Sequence, residues 1–323
     1  MSIFLPKSYN LIDLQLTLTQ SQMNFQKIRQ NRKQFLSITS LQLEKFDALL
    51  PTFKQNWETF INNFALDGLP RVRPYVPTEN EFLPSIEEKL FFILAYQKNA
   101  SLQEFFAAAF NTDQATCNKY VHLFSPILDK SLIEYSPKRN IEDVNFTESR
   151  TYLVDATERA VQRDTYIQKE YYSGKKKRHT IKNMAICTTL GVLIFLSPTV
   201  FGRIHDKTLM NTFDITQKNI TFYADLAFVS WCPSDEISVI LPHKKPKNTK
   251  TEKRELTQDQ KDFNKKHGAV RVRIENLFAH LKVMRILKDT IRNYKKGFKD
   301  LVIQTAASLY NFRKGFKIKN STY

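Results

Sequence analysis

Residues 151–182 read TYLVDATERAVQRDTYIQKEYYSGKKKRHTIK and hold a β-prone run, one carboxylate at its end, and a block of cations. The run over residues 152–154 ends at Asp155, and the cations Lys175, Lys176, Lys177 and Arg178 follow later in the stretch. An aspartate at a strand end near basic residues is a suitable metal ligand where a polyanion passes. Taken alone, the stretch slightly favours a simpler arrangement of a strand, a solvated basic loop and a second strand. The rest of the chain decides between these alternatives.

Composition indicates a folded, cationic protein. The 323 residues are enough for two domains, and 42% hydrophobic with 12% aromatic residues supply a buried core. The formal net charge is +17, and residues 241–323 alone carry 22 Lys and Arg against 7 Asp and Glu. A region this cationic indicates a phosphate-rich partner, most commonly nucleic acid.

The cysteines and apolar runs bear on the compartment. The 3 cysteines show no CxxC spacing, which argues against a disulfide framework or a zinc site and suits a reducing environment. No signal peptide is visible at the N-terminus. The longest apolar run, residues 185–201, is shorter than the roughly 20 residues of a membrane-spanning helix, and Pro198 interrupts it. We expect a soluble intracellular protein, cytoplasmic and nucleoid-associated in a bacterium, or nuclear in a eukaryote.

The first third of the chain has helical patterning. Three pairs have the spacing of an N-terminal capping box: Thr39 with Gln42, Ser85 with Glu88, and Ser101 with Glu104. Pro51 is expected to end or kink the first helix. Short helices on either side of a turn at residues 111–112 predict a helix-turn-helix, although an ordinary helical bundle fits the pattern equally well. The outward candidates for DNA contact are Gln114, Thr116, Asn118 and Lys119.

From residue 150 the patterning becomes β-rich. The expected strands cover residues 151–155, 180–188, 192–200, 220–224 and 237–241. A helix over His205–Phe213 separates the third and fourth strands. A last long helix starts near Gln258 or Lys261 and continues past Arg285, with Gly268 as a point of interruption. This order predicts an α/β fold with a mixed sheet flanked by helices.

The patterning also predicts the domain organisation. We expect an N-terminal arm, a helical helix-turn-helix region, an α/β catalytic domain and a short basic tail; their ranges are 1–35, 36–135, 148–315 and 316–323.

Three acids have positions from which they can converge. Asp155 and Asp225 end two strands, and Glu275 lies on the closing helix. Carboxylates of this kind bind Mg²⁺, and two such ions activate a nucleophile and stabilise the leaving oxygen in phosphodiester displacement. Each acid alone is a weak signal among 32. On the helix, Arg271 and Lys282 share a face with Glu275, which suits a metal ligand beside phosphate contacts and equally suits a surface salt bridge.

With these motifs the chain resembles a transposase of the DDE superfamily, specifically the insertion sequence five (Harbinger-related) group. The resemblance extends over about residues 36–315, and the YYSGKKK block and the order of the three acids make it specific. The resembling stretches are VDATER at 154–159, YYSGKKKRHTIKN at 171–183, Gly202 with HDK at 205–207, YAD at 223–225, KKPK at 244–247, RVRIENLFAHLKVMRIL at 271–287, Arg292-Asn293, Phe298 and NFR at 311–313.

The resemblance implies a ribonuclease-H-like core in which Asp155, Asp225 and Glu275 bind two Mg²⁺ or Mn²⁺. Related enzymes carry Tyr-x₂-Arg-x₃-Glu-x₆-Lys around the last acid, and Arg271 and Lys282 fit that spacing. Two positions depart from the pattern, since Gly268 replaces the tyrosine and Ala227 replaces a glycine.

The function implied is metal-dependent cleavage at transposon ends and strand transfer into target DNA. The basic run Lys175–Arg178 would hold backbone phosphates, with Arg271 and Lys282 near the scissile one. His205 and Asp206 are supporting candidates, although His205 fits a helix cap better. The expected partner is double-stranded DNA, both terminal inverted repeats and target, bound by a homodimer or higher oligomer. Two alternatives stay open: a domesticated DNA-binding protein that keeps the fold, and a metal-dependent endonuclease without strand transfer.

Overall fold

The computed structural model describes residues 23–78, 81–146, 150–248 and 254–318. The chain divides into two compact units, with the boundary between Phe124 and Ser125. The first unit is helical, and the second contains a sheet flanked by helices. None of the helices in the described part of the chain is both long enough and apolar enough to cross a membrane.

Helices alone build the first unit, and aromatic side chains fill its core. The helices are α1 (Phe25–Gln30), α2 (Arg32–Thr39), α3 (Leu43–Asn63), α4 (Ile86–Asn99), α5 (Gln103–Ala109) and α6 (Gln114–Ser131), the last of which continues past the unit boundary. Buried phenylalanines meet at ring-centroid distances of 5.1 Å for Phe35–Phe46 and 5.3 Å for Phe25–Phe91. Residues 1–22 of the expected arm lie outside the described residues. Residues 25–39 form α1 and α2, so that part of the expected arm contributes to this core.

Of the predicted capping boxes, only Ser85 with Glu88 is confirmed; both its reciprocal bonds are present at the start of α4. The other two were wrong. Thr39 ends α2, and its hydroxyl donates to the Phe35 carbonyl at 2.8 Å and accepts from the Leu41 amide at 3.1 Å. The residue before α5 is Leu102, which offers no capping side chain, so Ser101 does not cap it.

Pro51 was expected to end or kink its helix, and it does not end it. Helix α3 runs without a break through Pro51 to Asn63. The ring removes one amide donor, which is costly inside a helix. Five apolar side chains at helical spacing bury one face of α3 and outweigh that loss: Phe46, Leu49, Phe53, Trp57 and Ile61.

The second unit contains a seven-stranded mixed sheet, which confirms the predicted ribonuclease-H-like α/β core. The strands are β1 (Thr151–Ala160), β2 (Tyr172–Ser173), β3 (Arg178–Thr188), β4 (Leu193–Leu196), β5 (Val200–Phe201), β6 (Ile220–Tyr223) and β7 (Ile237–Ile240). Their order is β2-β3-β1-β6-β7, and both β4 and β5 pair with β3. β3 is antiparallel to β1, whereas β6 and β7 run parallel to it and to each other. The expected strand over 192–200 is interrupted at Pro198, which supplies no amide donor to a ladder.

Helices cover this sheet. They are α7 (Gln168–Tyr171), α8 (Asp206–Met210), α9 (Gln258–Leu281), α10 (Arg285–Lys288) and α11 (Phe298–Lys314). Helix α9 continues through Gly268, and a Cβ at that glycine would meet no atom within 4 Å. The predicted interruption at Gly268 was therefore wrong, and the helix ends at Leu281 rather than beyond Arg285. The sequence analysis did not predict α11, whose residues Val302–Phe312 are all buried.

A buried polar network joins β1 to α11. The Arg159 side chain is almost completely buried and donates to the Lys299 carbonyl at 2.8 Å and to Asn183 Oδ1 at 2.9 Å. Burial lowers the pKa of its guanidinium to about 9. Asp300 lies at the same junction, where its carboxylate accepts from the amide and the hydroxyl of Thr199 at 2.9 and 2.6 Å. Since each bond joins elements distant in sequence, the network fixes the end of β1 against α11.

Gly202 packs against the backbone of Thr180. A Cβ added at Gly202 would lie 1.9 Å from Thr180 Oγ1 and 2.7 Å from the Thr180 carbonyl oxygen. The same Thr180 hydroxyl donates to Glu158 at 2.9 Å. Any side chain at position 202 therefore displaces β3 or breaks this contact.

We predict opposite effects for two alanine substitutions. Gly202→Ala should lower the melting temperature because the new methyl group overlaps backbone, whereas Gly268→Ala should raise stability by about 1 kcal/mol because alanine is the better helix former. Thermal denaturation of the two variants beside the parent measures both effects. Equal stability of Gly202→Ala and the parent would contradict the close packing at Thr180.

Candidate active site

The parallel pairing of β1 with β6 places two aspartates at the same level of the sheet. The paired residues run from Thr151 opposite Thr221 to Leu153 opposite Tyr223. Continuing this register by two residues sets Asp155 opposite Asp225. β6 ends at Tyr223, whereas β1 continues to Ala160, whose carbonyl accepts from the Ile291 amide at 2.9 Å. Over residues 155–159 this edge of β1 therefore has no strand partner in the described part of the chain. Asp225 begins a short 3₁₀ turn, and its Oδ1 accepts from the Ala227 amide at 2.8 Å.

Ala227 tolerates its position in that turn. Among the described residues it is not one of those with positive φ. The alanine that stands where the resembling family has glycine therefore carries no backbone strain.

Acids and cations share a cavity of about 230 Å³ at this open edge. Asp155, Asp225 and Asp206 contribute carboxylates, and Lys282 lies on the helical wall. Burial, together with the neighbouring charges of Lys176 and Arg178, lowers the pKa of Lys282. The full lining comprises Asp155, Ala156, Thr157, Glu158, Lys175, Lys176, Arg178, Asp206, Asp225, Phe278 and Lys282.

Asp155 is held by one cation and one backbone donor. Arg271 Nη2 lies 2.9 Å from Asp155 Oδ2, and the Ala156 amide donates to Oδ1 at 2.8 Å. Burial nevertheless raises the pKa of Asp155 to about 6, against the lowering effect of Arg271 and the amide. The charges of Asp225 and Asp206 raise it further. The effect of burial on the pKa of Asp155 therefore outweighs the effect of the neighbouring cation.

A second ion network borders the cavity. The buried Lys182 ammonium lies 2.6 Å from Asp206 Oδ1 and 3.6 Å from Glu158 Oε1. It also donates to the Ile204 carbonyl at 2.7 Å. Asp206 thus lines the cavity as a supporting residue, whereas His205 precedes α8 without a side-chain capping bond and is not among the lining residues.

Glu158, Lys182 and Phe278 are site residues that the sequence analysis did not single out. Strand alternation places Glu158 on the face of β1 opposite Asp155, so period-two patterning gave no reason to pair them. Only the open edge of β1 lets both side chains reach one cavity.

Glu275 does not join the two aspartates in this structure. It is exposed on α9, and no hydrogen bond or ion pair joins its carboxylate to another described residue. Within the described ranges no group of three His, Cys, Asp or Glu side chains is placed to hold a metal ion. Arg271 lies one turn before Glu275, so the helix presents a guanidinium to Asp155 where the predicted triad has its third acid. The role of Glu275 as a ligand stays a prediction.

The predicted basic run forms the turn between β2 and β3. Lys175, Lys176 and Arg178 line the cavity, whereas Lys177 does not. Lys177 has a φ of +52°, a left-handed conformation at the tip of the turn. Three of the four cations therefore lie beside the carboxylates, and their contact with DNA phosphates stays a prediction.

The predicted DNA-contact residues lie in the helical unit, at the start of α6. Gln114 and Asn118 both donate to Gln103 Oε1, at 2.8 and 2.9 Å, and so brace α5 against α6. Thr116 is held by Asp113, whose carboxylate accepts from its amide and its hydroxyl. Lys119 is exposed. Of the four, Lys119 and the exposed Gln114 have the accessibility that a DNA contact requires.

The pKa of Asp155 generates a prediction about stability. Its ordinary value is 3.8 and its folded value about 6. As pH rises through this window, the carboxyl group loses its proton in the unfolded chain first. The free energy of unfolding therefore falls progressively, and the whole loss is present above about pH 6. In metal-free buffer, Asp155→Asn should raise the melting temperature at pH 7.5 by roughly 4–8 °C and have little effect at pH 4.

The control for this measurement is Asp235→Asn, since Asp235 is exposed and outside the cavity. Thermal denaturation at both pH values would contradict the argument if Asp155→Asn were less stable than the parent at pH 7.5.

Comparison with known proteins agrees with this geometry. Residues 154–311 match the family model described as DDE superfamily endonuclease. The chain is 28% identical over 166 residues to the probable transposase for insertion sequence element IS702 of Microchaete diplosiphon. That alignment covers 51% of this chain and 58% of the relative, so the chain spans little more than half the relative's length. No solved structure matches the chain.

Neither match distinguishes among subgroups, and membership of the insertion sequence five group stays a prediction. The matched segment begins within β1 and contains all three predicted acids, the basic turn and most of α11. The match to the DDE superfamily endonuclease model therefore spans the part of the chain that holds the candidate site.

Proposed function

We propose that this chain is a DNA transposase that cleaves element ends and transfers the freed 3′-hydroxyl to target DNA. The observation that carries the proposal is the placement of Asp155 and Asp225 at one level in a cavity rimmed by cations. The similarity to a probable transposase supports it.

Endonucleases of this superfamily depend on divalent metal ions. The donor set fits such an ion, since Mg²⁺ prefers carboxylate oxygens and four carboxylates line the cavity. In our proposal Asp155 and Asp225 hold two Mg²⁺ or Mn²⁺ ions, with Glu275 as the third ligand. When bound, the ions supply an activated hydroxyl nucleophile and stabilisation of the leaving oxygen.

The remaining side chains of the cavity would position the substrate. Lys175, Lys176 and Arg178 are placed to bind backbone phosphates and hold the strand over the aspartates. Lys282 faces the same space from α9 and would contact a phosphate near the scissile one. Lys182 keeps Asp206 and Glu158 in place, since it is buried between them.

The helical unit would supply a second DNA contact. Lys119 and Gln114 are exposed on α6, and we propose that this surface reads terminal-repeat DNA in the manner of a helix-turn-helix. Double-stranded DNA is thus the proposed partner of both units. A homodimer or higher oligomer on DNA would bring two element ends together.

Two alternatives lead to different outcomes. A domesticated DNA-binding protein would bind DNA without cutting it in the presence of Mg²⁺ or Mn²⁺. An endonuclease without strand transfer would cut but yield no product joined to target DNA. The Asp155–Asp225 pairing and its cationic rim favour cleavage over binding alone.

We expect Asp155→Asn and Asp225→Asn each to abolish cleavage of terminal-repeat DNA in Mg²⁺ while leaving DNA affinity nearly unchanged. Each substitution removes a charge from the proposed metal position without removing side-chain volume. A cleavage assay beside a gel-shift measures both effects, with Asp235→Asn as the control that should behave like the parent. Normal cutting by either cavity variant would remove that aspartate from the site.

Substitution of Lys175, Lys176, Lys177 and Arg178 by glutamine should reduce the salt dependence of DNA binding. Each phosphate contact contributes about −0.9 to the slope of log K against log salt, so the quadruple variant should flatten it by up to about 3–4 units. Sequence preference should stay the same, because phosphate contacts carry no base information. Cleavage should fall more than binding.

The single variants Lys176→Gln and Lys177→Gln make a matched pair from the same turn. Lys176 lines the cavity and Lys177 does not, so cleavage should depend on Lys176 more strongly. An unchanged salt slope and cleavage rate in the quadruple variant would show that the turn only aids solubility.

A further inference from the structure

We propose that Arg271 is the resident counter-ion of Asp155 and competes with a divalent cation for its carboxylate. The inference rests on the proposed function, because it concerns the same carboxylates. It assigns to Arg271 a role distinct from phosphate binding.

The geometry of Arg271 favours this role. Its guanidinium lies 2.9 Å from Asp155 Oδ2, and both side chains are largely buried, with 12% and 18% of their surfaces exposed. At this depth the attraction is screened less than on the surface. A cation coordinated by the same oxygen would be adjacent to the guanidinium, and two positive charges so close repel each other. Arg271 must therefore move away as a divalent ion binds.

The hydrogen-bonding capacity of Arg271 is not fully used in this position. Its Nε is buried and has no hydrogen-bond partner. Leaving such a donor unsatisfied costs about 1–3 kcal/mol. The attraction to Asp155 holds the side chain despite this cost, and a displaced Arg271 would regain a partner for Nε in water or on a phosphate.

Glu275 lies on α9 close to Arg271 and is the predicted third metal ligand. It follows Arg271 by one turn on the same stripe of α9 as Phe278 and Lys282, and those two side chains line the cavity. Glu275 is exposed and does not line the cavity. Withdrawal of Arg271 would vacate the space beside Asp155 that lies nearest to Glu275. Arg271 thus stabilises the metal-free arrangement, and its departure is a condition for a third carboxylate to reach the pair.

The test uses the full chain and Mn²⁺ alone, without DNA, in isothermal titration calorimetry. Arg271→Gln should bind Mn²⁺ about tenfold more tightly than the parent, a coupling within the usual range for linked sites. The matched control is Arg273→Gln on the same helix, exposed and absent from the cavity lining, which should leave Mn²⁺ affinity unchanged. Equal or weaker Mn²⁺ binding by Arg271→Gln would overturn the proposal.

Melting temperatures supply a second readout. Arg271→Gln should melt below the parent without metal, because the carboxylates lose their counter-ion, and Mn²⁺ should raise its melting temperature more than it raises the parent's. If Arg271→Gln does not fold even with Mn²⁺, Arg271→Met decides the question. It keeps an apolar stem but removes the charge, so it should bind Mn²⁺ more tightly than the parent, and parent-like affinity would overturn the proposal.

Failure of the inference is separable from failure of the proposed function. Loss of Mn²⁺ binding in Asp155→Asn, together with unchanged affinity in Arg271→Gln, would keep the metal site and reject the competition. Parent-like Mn²⁺ affinity in both Asp155→Asn and Asp225→Asn would instead reject the metal site and, with it, the inference.

Discussion

The position of the candidate site depends on the unequal lengths of two neighbouring parallel strands, β1 and β6. β1 continues to Ala160, whereas its parallel partner β6 ends at Tyr223, so the central strand of the sheet has an open edge in the middle of the fold. Side chains from both faces of β1 reach that edge. Asp155 reaches the cavity at this edge from one face of β1 and Glu158 reaches it from the other. Asp225 joins them from the segment that follows β6. The register of the parallel pair fixes the level of both aspartates, and the Arg159 network holds the far end of β1 in place.

Concentrating carboxylates at this edge has an electrostatic cost that the fold offsets from within. Arg271 is paired with Asp155, and Lys182 with Asp206 and Glu158. Both cations are largely buried, so their interactions are weakly screened. Asp155, Asp206 and Glu158 thus each have a cation beside them. Burial nevertheless keeps the pKa of Asp155 raised.

Much of the fold could be predicted from the sequence, because the β-rich run at 151–155, the apolar strands and the capping box at Ser85 are local signals. Asp155 and Asp225 could be paired because each ends an expected strand. The position of α9 relative to the sheet could not be predicted. Arg271 and Glu275 share one helical face, and only tertiary packing decides which of the two side chains reaches Asp155. The capping box at Thr39 and the helix end at Pro51 were wrong for a similar reason: packing of the buried face of α3 overrode local start and stop signals.

Helix α11 has a consequence for the order in which the second unit acquires its structure. Its bonds connect residues far apart along the chain, with separations of 118 for Asn311 to Leu193 and 140 for Lys299 to Arg159. Contacts of such long range require large loops to close before they stabilise anything, and folding rates fall as they come to dominate. Part of the apolar surface of the sheet is therefore expected to stay uncovered until α11 packs against it. Chaperone dependence and a tendency to aggregate during refolding are the expected results of that delay.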